Sequence, residues 1–175
     1  ELYIAYFGRP ADPAGLAFYA DALDAGTTTL EAVATSFGQS VEAESIVALS
    51  TDDYLAAVYL QAFAREYDVA VDGTFWADAI NDGSTTKELA MIQILQGAQA
   101  DDALAVANKV EAASTFTGLV TANEKDYLEA DIPAAKELIS SVTSDDLTVD
   151  AANVTAVDVV NDMADAPDVV VPPVV

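Results

Sequence analysis

The sequence predicts an all-α domain, a duplicated helical unit packed as a pseudo-symmetric multi-helix bundle with an extended C-terminal linker. Three observations predict it. Apolar residues recur at helical rather than alternating spacing, helix-start and helix-stop residues bracket those runs, and one pattern of residues occurs twice.

The duplication is read residue by residue. Tyr3, Phe7 and Arg9 recur as Tyr59, Phe63 and Arg65, and Asp12 recurs as Asp68. After one inserted residue, Tyr19-Ala20-Asp21-Ala22-Leu23 matches Trp76-Ala77-Asp78-Ala79-Ile80. Gly26 then matches Gly83, and Thr28-x-x-Glu31 matches Thr85-x-x-Glu88. The offset is 56 residues from Tyr3 to Tyr59 and 57 from Tyr19 to Trp76. The units run over about 2–40 and 58–97. Such a repeat marks a supersecondary unit that buries its apolar face against its copy.

Local chemistry places the elements in order. Asp12 before Pro13 is an N-cap followed by proline at the first helical position, opening a helix that stops at Gly26. Thr28 with Glu31, and Thr85 with Glu88, have capping-box spacing. Tyr3, Phe7, Phe18 and Leu23 are expected inward, as are Tyr59, Phe63, Trp76 and Ile80 in the second copy. A short helix is expected over Val41–Leu49, and another from Asp52 to Tyr67. Further helices follow over about 101–165. The longest spans Asp101 to Val120, with Leu104, Ala107, Val110, Ala113 and Phe116 toward one face. Asn123 is read as capping Glu124–Glu129, Pro133 as opening a helix to Val142, and Thr148–Asp150 as open to an extended form. The last helix, Asn153–Ala164, is expected to turn Val154, Val157, Val160 and Met163 inward. The helical domain thus covers 1–166, and the Pro/Val stretch 167–175 reads as a polyproline-prone linker that carries something further. The start at Glu1, inside a helical pattern and without Met, reads as a fragment or processed form.

Composition narrows the function. Asp and Glu number 30 against 6 Lys and Arg, a formal charge of −24, while 53% of residues are hydrophobic. That is too apolar for a disordered chain, and too acidic for a nucleic-acid backbone or a bare anionic membrane. Hard cations such as Ca²⁺ are the natural counter-ions. There is no Cys and no His, hence no disulfide, thiolate site, imidazole base or Ser-His-Asp triad. No apolar run is long enough for a membrane span. The nucleotide-loop and nucleophile-elbow motifs are absent. Asp52-Asp53, Asp101-Asp102 and Asp145-Asp146 read as helix starts, and Asp68-x-x-x-Asp72-Gly73 fails as an EF-hand loop, with Ala70 and Ala79 at ligand positions. These features point to a non-enzymatic protein. They fit a secreted bacterial surface protein, and also a halophile's cytosolic protein.

Arg9 and Arg65 are the two arginines of the chain and share one repeat position. Guanidinium makes bidentate carboxylate pairs, so each is expected to staple its own inter-helix loop, to Asp12 and Asp68 or else to Asp21 and Asp78. The alternative role is contact with an anionic or sugar-phosphate ligand. Tyr54, Tyr67 and Tyr127 are the candidate sugar-stacking residues.

The run Tyr3-x-x-x-Phe7-Gly8-Arg9-Pro10-Ala11-Asp12-Pro13-Ala14-Gly15-Leu16-x-Phe18-Tyr19 resembles the L-Y-x-x-x-x-G-R-x-x-D-x-x-G-L-x-Y-W signature of an uncharacterised helical repeat domain. That domain occurs in bacterial S-layer proteins and in type I-secreted surface proteins, often ahead of calcium-binding RTX repeats. Ala107 to Thr117 also resembles a segment common in those proteins. The second copy departs from the signature at Ala64, which stands where the glycine would be, and at Val71-Asp72-Gly73. The resemblance implies a secreted domain at the bacterial cell surface that anchors a lattice of its own copies to lipopolysaccharide, with calcium cementing it. Two other classes stay open: a protein–protein adaptor without glycan binding, and a carboxylate enzyme acting on glycans.

Overall fold

The structure, a computed structural model, describes residues 1–166; the expected linker, 167–175, lies outside them. Eleven α-helices follow one another among the described residues, with no strand and one isolated bridge between Lys125 and Asp165. The first unit comprises α1 (Leu2–Phe7), α2 (Pro13–Asp24) and α3 (Leu30–Gly38), then a short α4 (Glu44–Val47). The second comprises α5 (Thr51–Phe63), α6 (Val69–Asp72), α7 (Phe75–Asn81) and α8 (Lys87–Gln96). A long α9 (Ala100–Ala122) leads through a 3₁₀ turn (Glu129–Asp131) to α10 (Ile132–Ser140) and α11 (Asp146–Asn161). The all-α class is as the sequence predicts.

Caps set these boundaries. Asp12 accepts from Gly15 N–H at 2.7 Å and Pro13 follows it in α2. Gly26 and Gly83 take the left-handed conformation after α2 and α7, at φ 64° and 79°, where a side chain would be strained. The threonine caps fall one residue later than expected. Thr29 and Thr86, not Thr28 and Thr85, accept from Ala32 and Leu89 N–H at 3.2 and 3.3 Å. The one-residue insertion breaks the second copy of α2 in two. Asp68 caps the four-residue α6, Gly73 ends it, and α7 resumes at Phe75.

Equivalent helices meet across the duplication: α1 packs on α5, and α3 on α8. Their first core cluster holds Tyr6, Phe7, Phe37, Tyr54, Tyr59, Phe63 and Met91. A second cluster, around Phe116, Leu138, Ile139, Val149 and Val160, binds α9 to α10 and α11, and Ile4 of α1 belongs to it. Helix α9 also packs on α1, α2 and α5.

Several inward faces differ from expectation. Of the residues expected inward, Phe18 is 67% and Leu23 36% exposed; Phe75, at the position matching Phe18, is also 67% exposed. On α2 the positions i, i+3, i+4 and i+7 are Leu16, Tyr19, Ala20 and Leu23, which line one cavity together; Phe18 is out of phase with that stripe. On α9, Leu104 and Ala107 face out, and the buried face is Ala105, Asn108, Lys109, Ala112, Ala113, Phe116, Thr117 and Val120. On α11, Val154 and Val157 are exposed, while Val149, Ala152, Ala156 and Val160 are buried. That helix starts at Asp146, so Thr148–Asp150 is helical. Asn123 closes α9 rather than opening a helix, because Glu124 takes φ 51° and turns the chain.

The inward polar residues of α9 each meet an acceptor, as burial demands. Asn108 donates to Thr143 O at 3.0 Å, Thr117 to Ala11 O at 2.8 Å, and the Lys109 ammonium to Ile139 O at 2.7 Å. Lys109 is 1% exposed, and burial lowers its pKa to about 8. In the unfolded chain it titrates near the ordinary value of about 10.4. Between those values the unfolded state binds more protons, so stability rises with pH. Burial raises the tyrosines in the opposite sense, with Tyr3 and Tyr59 pushed up to about 12, so their contribution falls away above about pH 10. Denaturant unfolding should therefore show stability climbing by about 1 kcal/mol between pH 8 and pH 9. A Lys109→Met chain should lack that climb.

Candidate interaction surface

Both arginines follow a left-handed residue that closes a helix. Gly8 at φ 66° ends α1, and Ala64 at φ 57° ends α5. Each then donates to the carbonyl of the next residue at 3.1 Å, Pro10 for Arg9 and Glu66 for Arg65. Each lies against aromatic rings of its own unit: Arg9 is 5.4 Å from the Tyr3 and Phe7 centroids, and Arg65 is 4.9 Å from Tyr59 and 5.8 Å from Phe63.

The carboxylate partners are not those expected. Arg9 pairs with Glu42, through Nε to Oε1 at 2.7 Å and Nη2 to Oε2 at 2.8 Å. Arg65 holds two carboxylates: Asp102 at 2.7 and 2.8 Å, and Asp72 at 2.8 and 2.9 Å. Asp12 and Asp68 cap helices instead, and Asp68 accepts from Ala70 N–H at 2.9 Å. The reason is reach. Glu42 and Asp102 lie 33 and 37 residues beyond their arginines, in the segments that follow α3 and α8. Each arginine therefore ties the end of the first helix of its unit to the chain that leaves α3 or α8. Asp72 belongs to the inserted turn of the second copy, so Arg9 has no counterpart to it. Hydrogen bonds from Arg65 hold the Asp72 carboxyl below its ordinary range.

The lysines serve helix ends. Lys87 donates to Val47 O and Leu49 O beyond α4, Lys109 to Ile139 O in the last turn of α10, and Lys125 to Met163 O after α11. Positive charge is favourable where helix carbonyls lack partners. Lys125 also pairs with Asp165 at 2.6 Å. Lys136 is left most open, 3.9 Å from a Glu42 that Arg9 already engages.

Of the three tyrosines, one is buried and two are partly covered. Tyr54 is fully buried and donates to Lys87 O at 2.6 Å. Tyr67 is half-buried, donates to Gly73 O at 2.6 Å and packs 4.9 Å from Tyr59. Tyr127 lies edge-on to Phe116 at 5.3 Å, with Arg9 5.7 Å from its centroid. The exposed aromatics are Phe18 and Phe75, at one repeat position. Each leans edge-on against the next aromatic, Tyr19 at 5.1 Å and Trp76 at 4.8 Å. The signal for them was in the alignment: Phe18 and Phe75 stand one residue before the matched Tyr19 and Trp76, off the inward phase of the helix.

Among the described residues no group of three carboxylates is placed to hold a metal ion, and no helix is long and apolar enough to cross a membrane.

Residues 1–47 match a family described as a domain of unknown function, DUF4214. No curated protein and no solved structure matches the chain. The matched segment contains the Tyr3–Tyr19 motif and ends within α4. Within that motif the structure explains Gly15, where a Cβ would run into the Tyr3 hydroxyl and the Asp12 carboxylate.

Replacement by lysine separates the two arginine sites. The Arg9 side chain is 10% exposed and that of Arg65 is 35%, so water screens the second pair more. Arg9→Lys should cost about 2 kcal/mol and Arg65→Lys about 1 kcal/mol, because lysine cannot form the bidentate fork. Ala64→Gly should raise stability by up to about 1 kcal/mol, since glycine takes the left-handed conformation without strain. Thermal and denaturant unfolding measure all three.

Proposed function

We propose that this domain anchors or assembles a secreted bacterial protein of S-layer type at the cell surface, binding the surface polysaccharide, lipopolysaccharide, with calcium as the bridge. The observation that carries the reading is the outward pair of repeat-equivalent phenylalanines, Phe18 and Phe75, on an acidic, cation-poor helical bundle. Flat apolar rings at fixed positions suit sugar faces. The signature-like motif around Gly8-Arg9 and Asp12 supports the same direction.

Charge determines how the docking works. At −24, approach to a phosphorylated or carboxylated glycan is repulsive within a Debye length of about 8 Å at physiological salt. With no three-carboxylate cluster among the described residues, calcium acts in this reading between the domain and the glycan, or between copies in a lattice. A second reading, a protein–protein adaptor without glycan binding, rests on the same exposed rings together with Val69 and Val71, which are exposed ahead of Phe75.

A pull-down of the domain on whole cells and on purified surface polysaccharide distinguishes the readings. Retention should fall on chelation, return with Ca²⁺, and fail to return with monovalent salt. The double substitution Phe18→Ala with Phe75→Ala should weaken retention at least about tenfold, with the melting temperature unchanged. Equal retention on cells stripped of polysaccharide would overturn anchoring and favour the adaptor.

A further inference from the structure

A cavity of about 480 Å³ lies between the end of α1, the outer side of α5, α9 and α10. It shares no lining residue with the Phe18 and Phe75 positions. Phe7, Leu60 and Ile139 give it apolar walls, and Lys109 and Lys136 both line it. In a chain with 6 cationic side chains against 30 acidic ones, two cations on one cavity are an unusual concentration of positive charge.

These two also have the fewest acceptors of the six cations. Arg9 and Arg65 are held by carboxylates, Lys87 by two carbonyls, and Lys125 by a carbonyl and Asp165. An ammonium carries three N–H donors. Lys109, fully enclosed, reaches one acceptor among the described residues, Ile139 O. Lys136 has Glu42 at 3.9 Å, beyond hydrogen-bond range. Glu42 is the carboxylate beside the pair, and both of its oxygens are engaged by Arg9.

We propose that this cavity binds a small amphiphilic monoanion, an alkyl carboxylate of the fatty-acid class, with its head on the open Lys136 ammonium, the enclosed Lys109 adding positive charge from within the wall, and its tail along Phe7, Leu60 and Ile139. The volume lies within the range of about 300–1,000 Å³ typical of small-molecule sites. One negative charge fits better than two, because the surrounding field is negative and a second charge would meet it without a cation. An apolar tail is required because the walls offer little to a bare inorganic anion. Leu60, 60% exposed on the cavity wall, would be covered by such a tail.

The test is calorimetric titration of the full chain with octanoate, octanol and inorganic phosphate at low ionic strength. Octanoate is expected to bind, more weakly as salt rises, with octanol at least about tenfold weaker and phosphate showing no heat of binding. Lys109→Met removes a buried helix-end contact and bears on folding, so the deciding variants are at two exposed side chains. Lys136→Gln and Leu60→Ser should each weaken octanoate at least about fivefold, with circular dichroism and melting temperature unchanged. Equal affinity for octanol and octanoate, equal affinity for phosphate, an unaffected Lys136→Gln chain, or no octanoate binding would each overturn the proposal. The polysaccharide pull-down is independent of these results.

Discussion

Positive charge is the scarce component of this protein, and its placement organises the fold. Five of the six cationic side chains sit where the backbone or a distant segment needs them. Two guanidinium groups close the long loops of the two units, and three ammonium groups meet carbonyls at the ends of α4, α10 and α11. The acidic residues have no such task in common. Many begin helices, where the N-terminal dipole accepts them, three hold the arginines, and most of the others lie on the surface. A bundle of short helices survives at −24 because its few attractive charges sit at junctions between elements.

Much of this architecture was legible in the sequence. The duplication, Asp12 with Pro13, Gly26, Gly83 and Pro133 each rest on chemistry local to a few residues, and α2, α10 and the turns after α2 and α7 follow them. The arginine partners were not legible. Glu42 and Asp102 become neighbours of Arg9 and Arg65 only after α3 and α8 fold back, and nothing within a few residues encodes that. The face of α9 was misjudged for another reason. A hydropathy pattern prefers Leu104 and Ala107 to Asn108 and Lys109, yet packing on two sides turned the polar pair inward and gave each an acceptor. Tyr54 was misplaced as a surface candidate because a hydroxyl lets the ring be buried while its tip reaches a carbonyl, here that of Lys87.

The copies have also diverged in a physically readable way. In the first, one glycine ends α1, one carboxylate holds the arginine, and α2 is continuous. In the second, an alanine accepts the left-handed conformation, the helix breaks at Gly73, and the break delivers Asp72 to Arg65. The added ion pair and the strained alanine occur in the same junction, so a loss at one position is offset within a few residues of it.

Helix α1 is six residues long, too short to persist alone in water. It lies between the two clusters: Tyr6 and Phe7 enter the first, and Ile4 the second. Opening either cluster therefore removes one wall from α1 and exposes the other. The two cores are joined through this short helix and through α9, which packs on α5, and they should melt as a single cooperative unit. The same geometry separates two meanings of a domain. Residues 1–47 form a recognisable stretch of sequence, but α1 and α3 pack not only on each other but on α5, α8 and α9. Cut out at its own boundaries, that stretch would keep the rings around Phe37 and lose the helices that cover them.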